Sequence, residues 1–272
     1  TVTHRELLFR TLDEYRPIKP GGLALDFILE PCARNTAPAL VAAATKALQW
    51  YGEDALLLIL PADHLIEKSA DFLRAVEQAR TLAEQGWLVT FGITPTRAET
   101  GFGYLEPDEE LAAGAFRIRR FVEKPDRANA EKFLVDGRYR WNSGMFCCRA
   151  DALLGEFHSH AAEMLSAVKA CLAQSNCMTS EQGLLCELDS PSFAAVTDIS
   201  IDYAVMQHSG RVAMVSCDIG WSDIGSWQAF RELLPGDSAG NQLTGETVLR
   251  DVRNCYIDSP QRLIGAIGIA DL

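Results

Sequence analysis

The sequence predicts an α/β fold, a sheet with helices on both faces, and three observations predict it. The runs 55–60 (ALLLIL) and 87–93 are apolar throughout or nearly so, as strands covered on both sides are. The stretch 37–50 places apolar residues at helical spacing, and 69–85, bounded by a cap and a stop, reads as a second helix. With a short strand at 26–30 in front, the order is β-α-β-α-β, which builds parallel sheet.

Each element has a local reason. Thr3 to Tyr15 reads as a helix with no strand before it, and Asp26 to Glu30 as a strand. From Ala37 to Trp50 the apolar positions are 37, 40, 41, 44, 47 and 48; Asn35 or Thr36 can cap this helix and Pro38 fits its first turn. The helix from Ser69 to Gln85 takes Ser69 as cap and Gly86 as stop. Gly101 to Glu106 and Ala115 to Val122 are strands of a mixed or antiparallel section, and Arg127 to Asp136 is a short helix. A strand from Trp141 to Arg149 is interrupted at Ser143-Gly144. Helices near 150–173 and 198–208 precede a strand at 211–217, then Gly220 to Trp227 and a further helix. After Pro235 the composition turns to Gly, Asp, Ser and Asn. The tail 242–272 reads as short β pieces, too few to bury a core alone. The expected division is a main domain at 1–235 and a β-rich region at 236–272.

Composition narrows the function classes. With 25 Lys and Arg against 37 Asp and Glu, the net charge is −12, the wrong sign for gripping a nucleic-acid backbone. A small phosphorylated substrate needs only a few local cations and stays open. The eight cysteines include no Cys-x-x-Cys pair, so zinc-ribbon and thioredoxin-type sites are excluded. We expect reduced, mostly buried thiols and a cytoplasmic protein. No apolar run reaches the roughly 18–20 residues of a membrane span, so no membrane partner is expected.

Open α/β sheets bind ligands beyond the carboxyl ends of their strands. Glu30 closes the first strand, and Pro-Cys-Ala-Arg34-Asn35-Thr36-Ala-Pro38 follows at a helix mouth. That loop is either an ordinary cap or a polar segment that reads a base edge or holds an anion. Asp63 follows the strand ending at Leu60 and is either a turn aspartate or a Mg²⁺ ligand, since Mg²⁺ takes few carboxylates and completes its shell with phosphate and water. Asp223, after a later strand, is the second acid of such a pair if the two meet. Glu123-Lys124-Pro125 ends another strand; a lysine ammonium suits a phosphate, and a surface ion pair is the plainer reading. Gly103, in Thr100-Gly-Phe-Gly103, lets a ligand approach the backbone. Asn142 breaks an apolar strand, and its polar groups need a protein partner or a polyhydroxyl ligand.

Seven motifs in chain order carry a family resemblance. They are Glu30-Pro-x-x-Arg-Asn-Thr-Ala-Pro-Ala39, Pro61-Ala-Asp-His64, Thr100-Gly-Phe-Gly-Tyr104, Val122-Glu-Lys-Pro125, Trp141-Asn-Ser-Gly-Met-Phe146, Ile199-Ser-Ile-Asp-Tyr-Ala-Val205 and Gly220-Trp-Ser-Asp-Ile-Gly-Ser-Trp227. Their order and spacing resemble the bacterial mannose-1-phosphate guanylyltransferases, sugar nucleotidyltransferases often fused to a mannose-6-phosphate isomerase domain. The resemblance covers nearly the whole chain and implies a Rossmann-like nucleotidyltransferase sheet. It implies guanylyl transfer from GTP to mannose 1-phosphate with release of pyrophosphate. Asp63 and Asp223 match magnesium-binding acids, Lys124 the lysine on the sugar phosphate, and Glu123 the acid on sugar hydroxyls. Gly103 and Asn142 match sugar-contact positions, and the segment Glu30, Arg34, Asn35, Thr36 and Pro38 lies beside the guanine base. A sibling enzyme for another base or hexose, and a non-catalytic regulatory subunit of the same fold, are the alternatives. A homo-oligomer is left open.

One departure stands out. The family opens with a glycine-rich strand-loop-helix that cradles the triphosphate, and no such pattern lies between Thr1 and Glu30. The resemblance therefore implies an internal fragment that alone does not catalyse the transfer. It also implies an incomplete sheet, with a gap beside the strands ending at Glu30 and Leu60.

Overall fold

The computed structural model describes residues 1–18, 23–180, 183–225, 227–232 and 235–272. These form two compact units, one of Thr1–Pro61 with Lys68–Ile219, the other of Ala62–Glu67 with Gly220–Leu272. The expected division at 235/236 falls within the second unit.

The first unit carries two sheets. One is a six-stranded sheet in the order β3 (Leu56–Ile59), β8 (Arg140–Arg149), β5 (Leu88–Ile93), β11 (Val212–Cys217), β7 (Ala115–Val122) and β6 (Tyr104–Ala112). The pairing of β5 with β11 is parallel and the others are antiparallel. The sheet is thus mixed where the β-α-β-α-β order predicted parallel neighbours: β8 inserts between β3 and β5 and runs against both. The fully buried β5 fits the apolar run that predicted it. β3 does not. It is an edge strand with Leu56 and Leu58 on an exposed face, so its apolar run does not signal cover on both sides.

The second sheet has the order β1 (Val2–His4), β2 (Phe27–Glu30), β10 (Gly183–Glu187), β9 (Asn176–Ser180). The predicted N-terminal helix is preceded by β1, which pairs parallel with β2; the helix proper, α1, is Leu8–Tyr15. β2 and β3 lie in different sheets. Cys186 on β10 faces Cys177 on antiparallel β9, and the two form a disulfide. This corrects the expectation of uniformly reduced thiols and removes that argument for a cytoplasmic compartment. Direct cross-strand pairing brings the thiols together although nine positions separate them in sequence. The other six cysteines are free, and burial holds the thiols of Cys147, Cys148 and Cys217 above their usual range.

Helices pack against these strands. α2 (Thr36–Tyr51) buries Leu40, Val41, Ala44 and Ala47 in the main core. α3 begins at Ser69 and ends at Glu84; its cap residue is Lys68, not Ser69, and Lys68 reaches Asp218 at 2.6 Å. α4 (Arg127–Asp136) has the predicted bounds: the Asp126 carboxylate accepts from Asn129 N and Gly137 stops it in a left-handed conformation. The predicted 150–173 helix is broken at Ala161 into α5 (Ala150–His160) and α6 (Ala162–Gln174). A short α7 (Ser190–Ala194) leads to a π-helical turn at Asp202–Met206, which replaces the helix predicted over 198–208.

In the second unit, β4 (Leu65–Ile66) pairs antiparallel with β12 (Trp221–Ser222), followed by α8 (Trp227–Glu232). β13 (Gln242–Arg250) and β14 (Tyr256–Ile267) pair in parallel. Against expectation, the tail has a small core, Val252, Cys255 and Ala266. It is pinned by buried Asn241, which donates to Val252 O and accepts from Cys255 N, each at 3.1 Å. Among the described residues no helix is long and apolar enough to cross a membrane.

Candidate active site

The residues singled out in the sequence fall into two sets, one in each unit. In the first unit, β7 ends at Val122 and delivers Glu123 and Lys124 ahead of Pro125. Lys124 adopts φ 47°, a left-handed conformation unusual for a residue with a side chain and more so before proline. Such backbone strain clusters at ligand sites. Lys124 Nζ lies 3.5 Å from Glu123 Oε1; the lysine is exposed while the Glu123 side chain is only 9% exposed. Burial and the neighbouring Asp202 charge push the Glu123 carboxyl up to about 6, with Lys124 pulling the other way.

Gly103 stands against this carboxylate. A Cβ there would sit 2.6 Å from Glu123 Oε2 and 3.2 Å from the Phe121 ring, so a side chain would displace the acid. The Gly103 carbonyl accepts from Asn142 N at 2.8 Å. Asn142 itself is aimed by a bulge: between β5 and β8 the partners change from Thr90–Phe146 to Gly92–Asn142, with Gly144 at φ 72° inside the loop-out. This is the predicted interruption at Ser143-Gly144. The Asn142 side chain is held on both sides. Its Oδ1 lies 2.7 Å from the Thr90 hydroxyl, and its Nδ2 donates to Asp202 Oδ1 at 3.0 Å. Burial holds the Asp202 carboxyl above its usual range, opposed by hydrogen bonds from its own N–H, Asn142 and Ser200 and by the Lys124 charge. Gly103, Glu123, Lys124, Asn142 and Asp202 thus form one polar cluster.

The Glu30–Pro38 loop caps the helix that follows it. Asn35, at φ 64°, accepts from Thr36 N at 3.0 Å, and Ala37 N donates to Ile199 O at 3.2 Å. Pro38 has no N–H. The backbone N–H groups of Thr36 and Ala37 in the first turn of α2 are thus satisfied from within the chain. Thr36 Oγ1 accepts from Ile201 N at 2.9 Å. Arg34 Nε donates to Ala194 O at 3.1 Å, tying the loop to the end of α7. The Glu30 carboxyl is raised by burial, against a lowering pull from His4, and among the described residues its buried Oε1 has no hydrogen-bond partner.

In the second unit, the β4–β12 pairing sets Trp221 opposite Ile66 and Ser222 opposite Leu65, which brings the chain ends carrying His64 and Asp223 side by side. Trp221 Nε1 donates to His64 Nδ1 at 3.1 Å, so the neutral ring carries its proton on Nε2, 4.0 Å from Asp63 Oδ1. Burial lowers the His64 pKa, while Asp63 and Asp223 both act to raise it; both acids are therefore within electrostatic reach of one imidazole. Gly225 N donates to Asp223 Oδ1 at 3.2 Å, and a Cβ at Gly225 would meet Asp223 Oδ2 at 2.6 Å. Among the described residues no group of three or more His, Cys, Asp or Glu could hold a metal. The donor set fits a hard cation that keeps most of its shell for phosphate and water. Ser226 of this motif lies outside the described residues.

Sequence reasoning gave no role to Asp202, His64 or Trp221. Asp202 had a signal, a carboxylate inside an otherwise apolar helical run (Ile201 to Met206). His64 and Trp221 were visible only as neighbours of the two acids.

A nucleotidyl transferase family model matches residues 1–239. A mannose-1-phosphate guanylyltransferase of Salmonella montevideo is 42% identical over 276 residues, 99% of this chain and 56% of that protein. One of Klebsiella pneumoniae is 39% identical over 274 residues, 100% of this chain and 57% of that protein. The chain thus spans about half the length of the curated relatives it matches. A solved structure from Thermus thermophilus, described as a mannose-1-phosphate geranyltransferase, superposes with TM-score 0.80 at 28% identity, covering 99% of this chain and 74% of that one.

Proposed function

The chain belongs to the nucleotidyl transferase family, and from that premise we propose that it serves guanylyl transfer from GTP to α-D-mannose 1-phosphate, giving GDP-mannose and pyrophosphate. The observation that carries the reading is the 39–42% identity, over 99–100% of the chain, to relatives named for this reaction. A sugar-phosphate oxygen attacks the α-phosphorus of GTP; the new P–O bond forms as the bond to the β-phosphate oxygen breaks, and pyrophosphate carries away the electron pair. No protein nucleophile is needed, so the residues contribute position and charge.

Glu123, ionised at neutral pH, accepts from sugar hydroxyls. The exposed Lys124 ammonium neutralises the sugar phosphate. Gly103 keeps the space for the acid open, and Asn142 offers its carboxamide to the sugar. Glu30, Arg34, Asn35, Thr36 and Pro38 form the segment beside guanine, whose N–H edge suits acceptor groups. Asp63 and Asp223 hold a divalent cation, Mg²⁺, which when bound supplies charge neutralisation to the triphosphate. We assign this chemistry to residues 1–235 in the cytoplasm, with 236–272 as a β-rich region.

The test uses the full-length gene product with Mg²⁺. GTP with mannose 1-phosphate should release pyrophosphate and form GDP-mannose, far faster than UTP, ATP or glucose 1-phosphate pairings. Lys124→Ala should lower kcat/KM, with the loss persisting at saturating GTP. Equal turnover with another base or hexose would move the reading to a sibling enzyme, and no turnover with any pair would overturn it.

A further inference from the structure

We propose that Asp202 is a positioning residue that fixes the Asn142 carboxamide so that its one free N–H is presented to a sugar hydroxyl. This rests on the sugar-phosphate reading of the cluster given above. The orientation follows from donors and acceptors. Gly144 N–H, which can only donate, lies 3.3 Å from Asn142 Oδ1. The Thr90 hydroxyl lies 2.7 Å from the same oxygen and 3.0 Å from Met145 O, so its proton points among acceptors. Oδ1 is therefore on that side, and the amide nitrogen faces Asp202 Oδ1 at 3.0 Å. The flipped carboxamide would set N–H against the Gly144 N–H and carbonyl oxygen against a carboxylate, losing both of those bonds.

The bookkeeping of bonds then defines what Asn142 can do. Among the described residues, its oxygen receives the Gly144 N–H and lies against the Thr90 hydroxyl, and one of its two N–H groups is taken by Asp202. One N–H remains, so toward a ligand Asn142 is a donor only. Glu123, in the same cluster, is an acceptor when ionised. A ring hydroxyl that accepts from Asn142 beside one that donates to Glu123 satisfies both, which is the pattern of a vicinal diol. Asp202 suits the task because it is half-buried, lies in the π-helical turn at 202–206, and is held by Ser200 and its own backbone N–H. Removing it frees the carboxamide to rotate and to offer an acceptor where a donor is needed.

Calorimetric titration of the 272-residue chain with mannose 1-phosphate tests this by a double-mutant cycle, with thermal melts to establish folding. Asp202→Ala and Asn142→Ala should each weaken binding by about tenfold, and the double variant should be no weaker than Asn142→Ala alone. Asp202→Asn, which retains an acceptor, should lose less. Affinity for GTP should stay within about twofold throughout. Additive losses, or Asp202→Ala binding within about twofold of the parent, would overturn the assignment. A second arm needs no ligand. The ¹⁵N side-chain amide signal of Asn142, identified by its disappearance in Asn142→Ala, should move in Asp202→Ala and in the isosteric Thr90→Val. Unmoved signals overturn the positioning role even if the sugar binds. If the chain binds no mannose 1-phosphate while the signals move, the positioning stands and the substrate reading fails.

Discussion

Replacing Glu123 with Gln should make the protein more stable and less able to bind sugar. The carboxyl is buried and titrates near 6 in the folded protein, against an ordinary value of 4.5. A carboxylate raised on folding destabilises the native state above its folded pKa, and the penalty fades as pH falls through the window between the two values. The difference between them corresponds to about 2 kcal/mol at pH 8. By the same linkage the penalty is about 0.8 kcal/mol at pH 5. Glu123→Gln removes it, because the amide does not ionise. Thermal melts of parent and variant at both pH values read the difference. At pH 8 the variant should melt higher, by roughly 4–8 °C for a cooperative unit of this size. At pH 5 the gain should shrink to less than half. The same variant should lose measurable affinity for mannose 1-phosphate, since a neutral amide with one acceptor oxygen replaces an anion with two. A variant less stable than its parent at pH 8, or a gain that ignores pH, would refute the claim that burial and Asp202 strain this carboxylate.

Gly103→Ala should weaken mannose 1-phosphate binding more than it lowers the melting temperature, because its methyl displaces the Glu123 carboxylate at 2.6 Å; unchanged affinity in titration would show that the acid is not a contact. Asp223→Asn should weaken Mn²⁺ binding measured by EPR in the presence of GTP while leaving the circular dichroism spectrum intact, and Asp63→Asn should behave alike; undiminished Mn²⁺ binding in both would remove the metal role. Thiol titration of the denatured, unreduced protein should count six groups, and eight after reduction. Cys186→Ser should cost about 2.5–3 kcal/mol more under oxidising conditions than under reducing ones, the loop-closure value for so short a segment.

Elements were legible where local chemistry decides them. α4 was readable to the residue because Asp126 caps it and Gly137 ends it, both within the helix's own neighbourhood. β3 was misread because an apolar run specifies a strand but not how many sides are covered; that depends on β8, far along the chain. The disulfide was invisible for a similar reason, since only the β9–β10 register places Cys177 opposite Cys186. Among the candidate site residues, Gly103, Glu123, Lys124 and Asn142 converge, because all four lie at or near strand ends of one sheet. Asp202 arrives from a helical turn, and no spacing rule connects it to Asn142, sixty positions earlier.

The segment 199–202 makes three attachments in four residues. Ile199 O receives Ala37 N, Ile201 N binds Thr36 Oγ1, and Asp202 holds Asn142. The mouth of α2 and the Asn142 carboxamide are thus bolted to one short bracket. Such a bracket has no slack: inserting or deleting one residue within it would put at least one of the three bolts out of line with the others. Substitutions that keep its length can be absorbed singly, whereas length changes cannot, so this stretch should tolerate change of side chain far better than change of count.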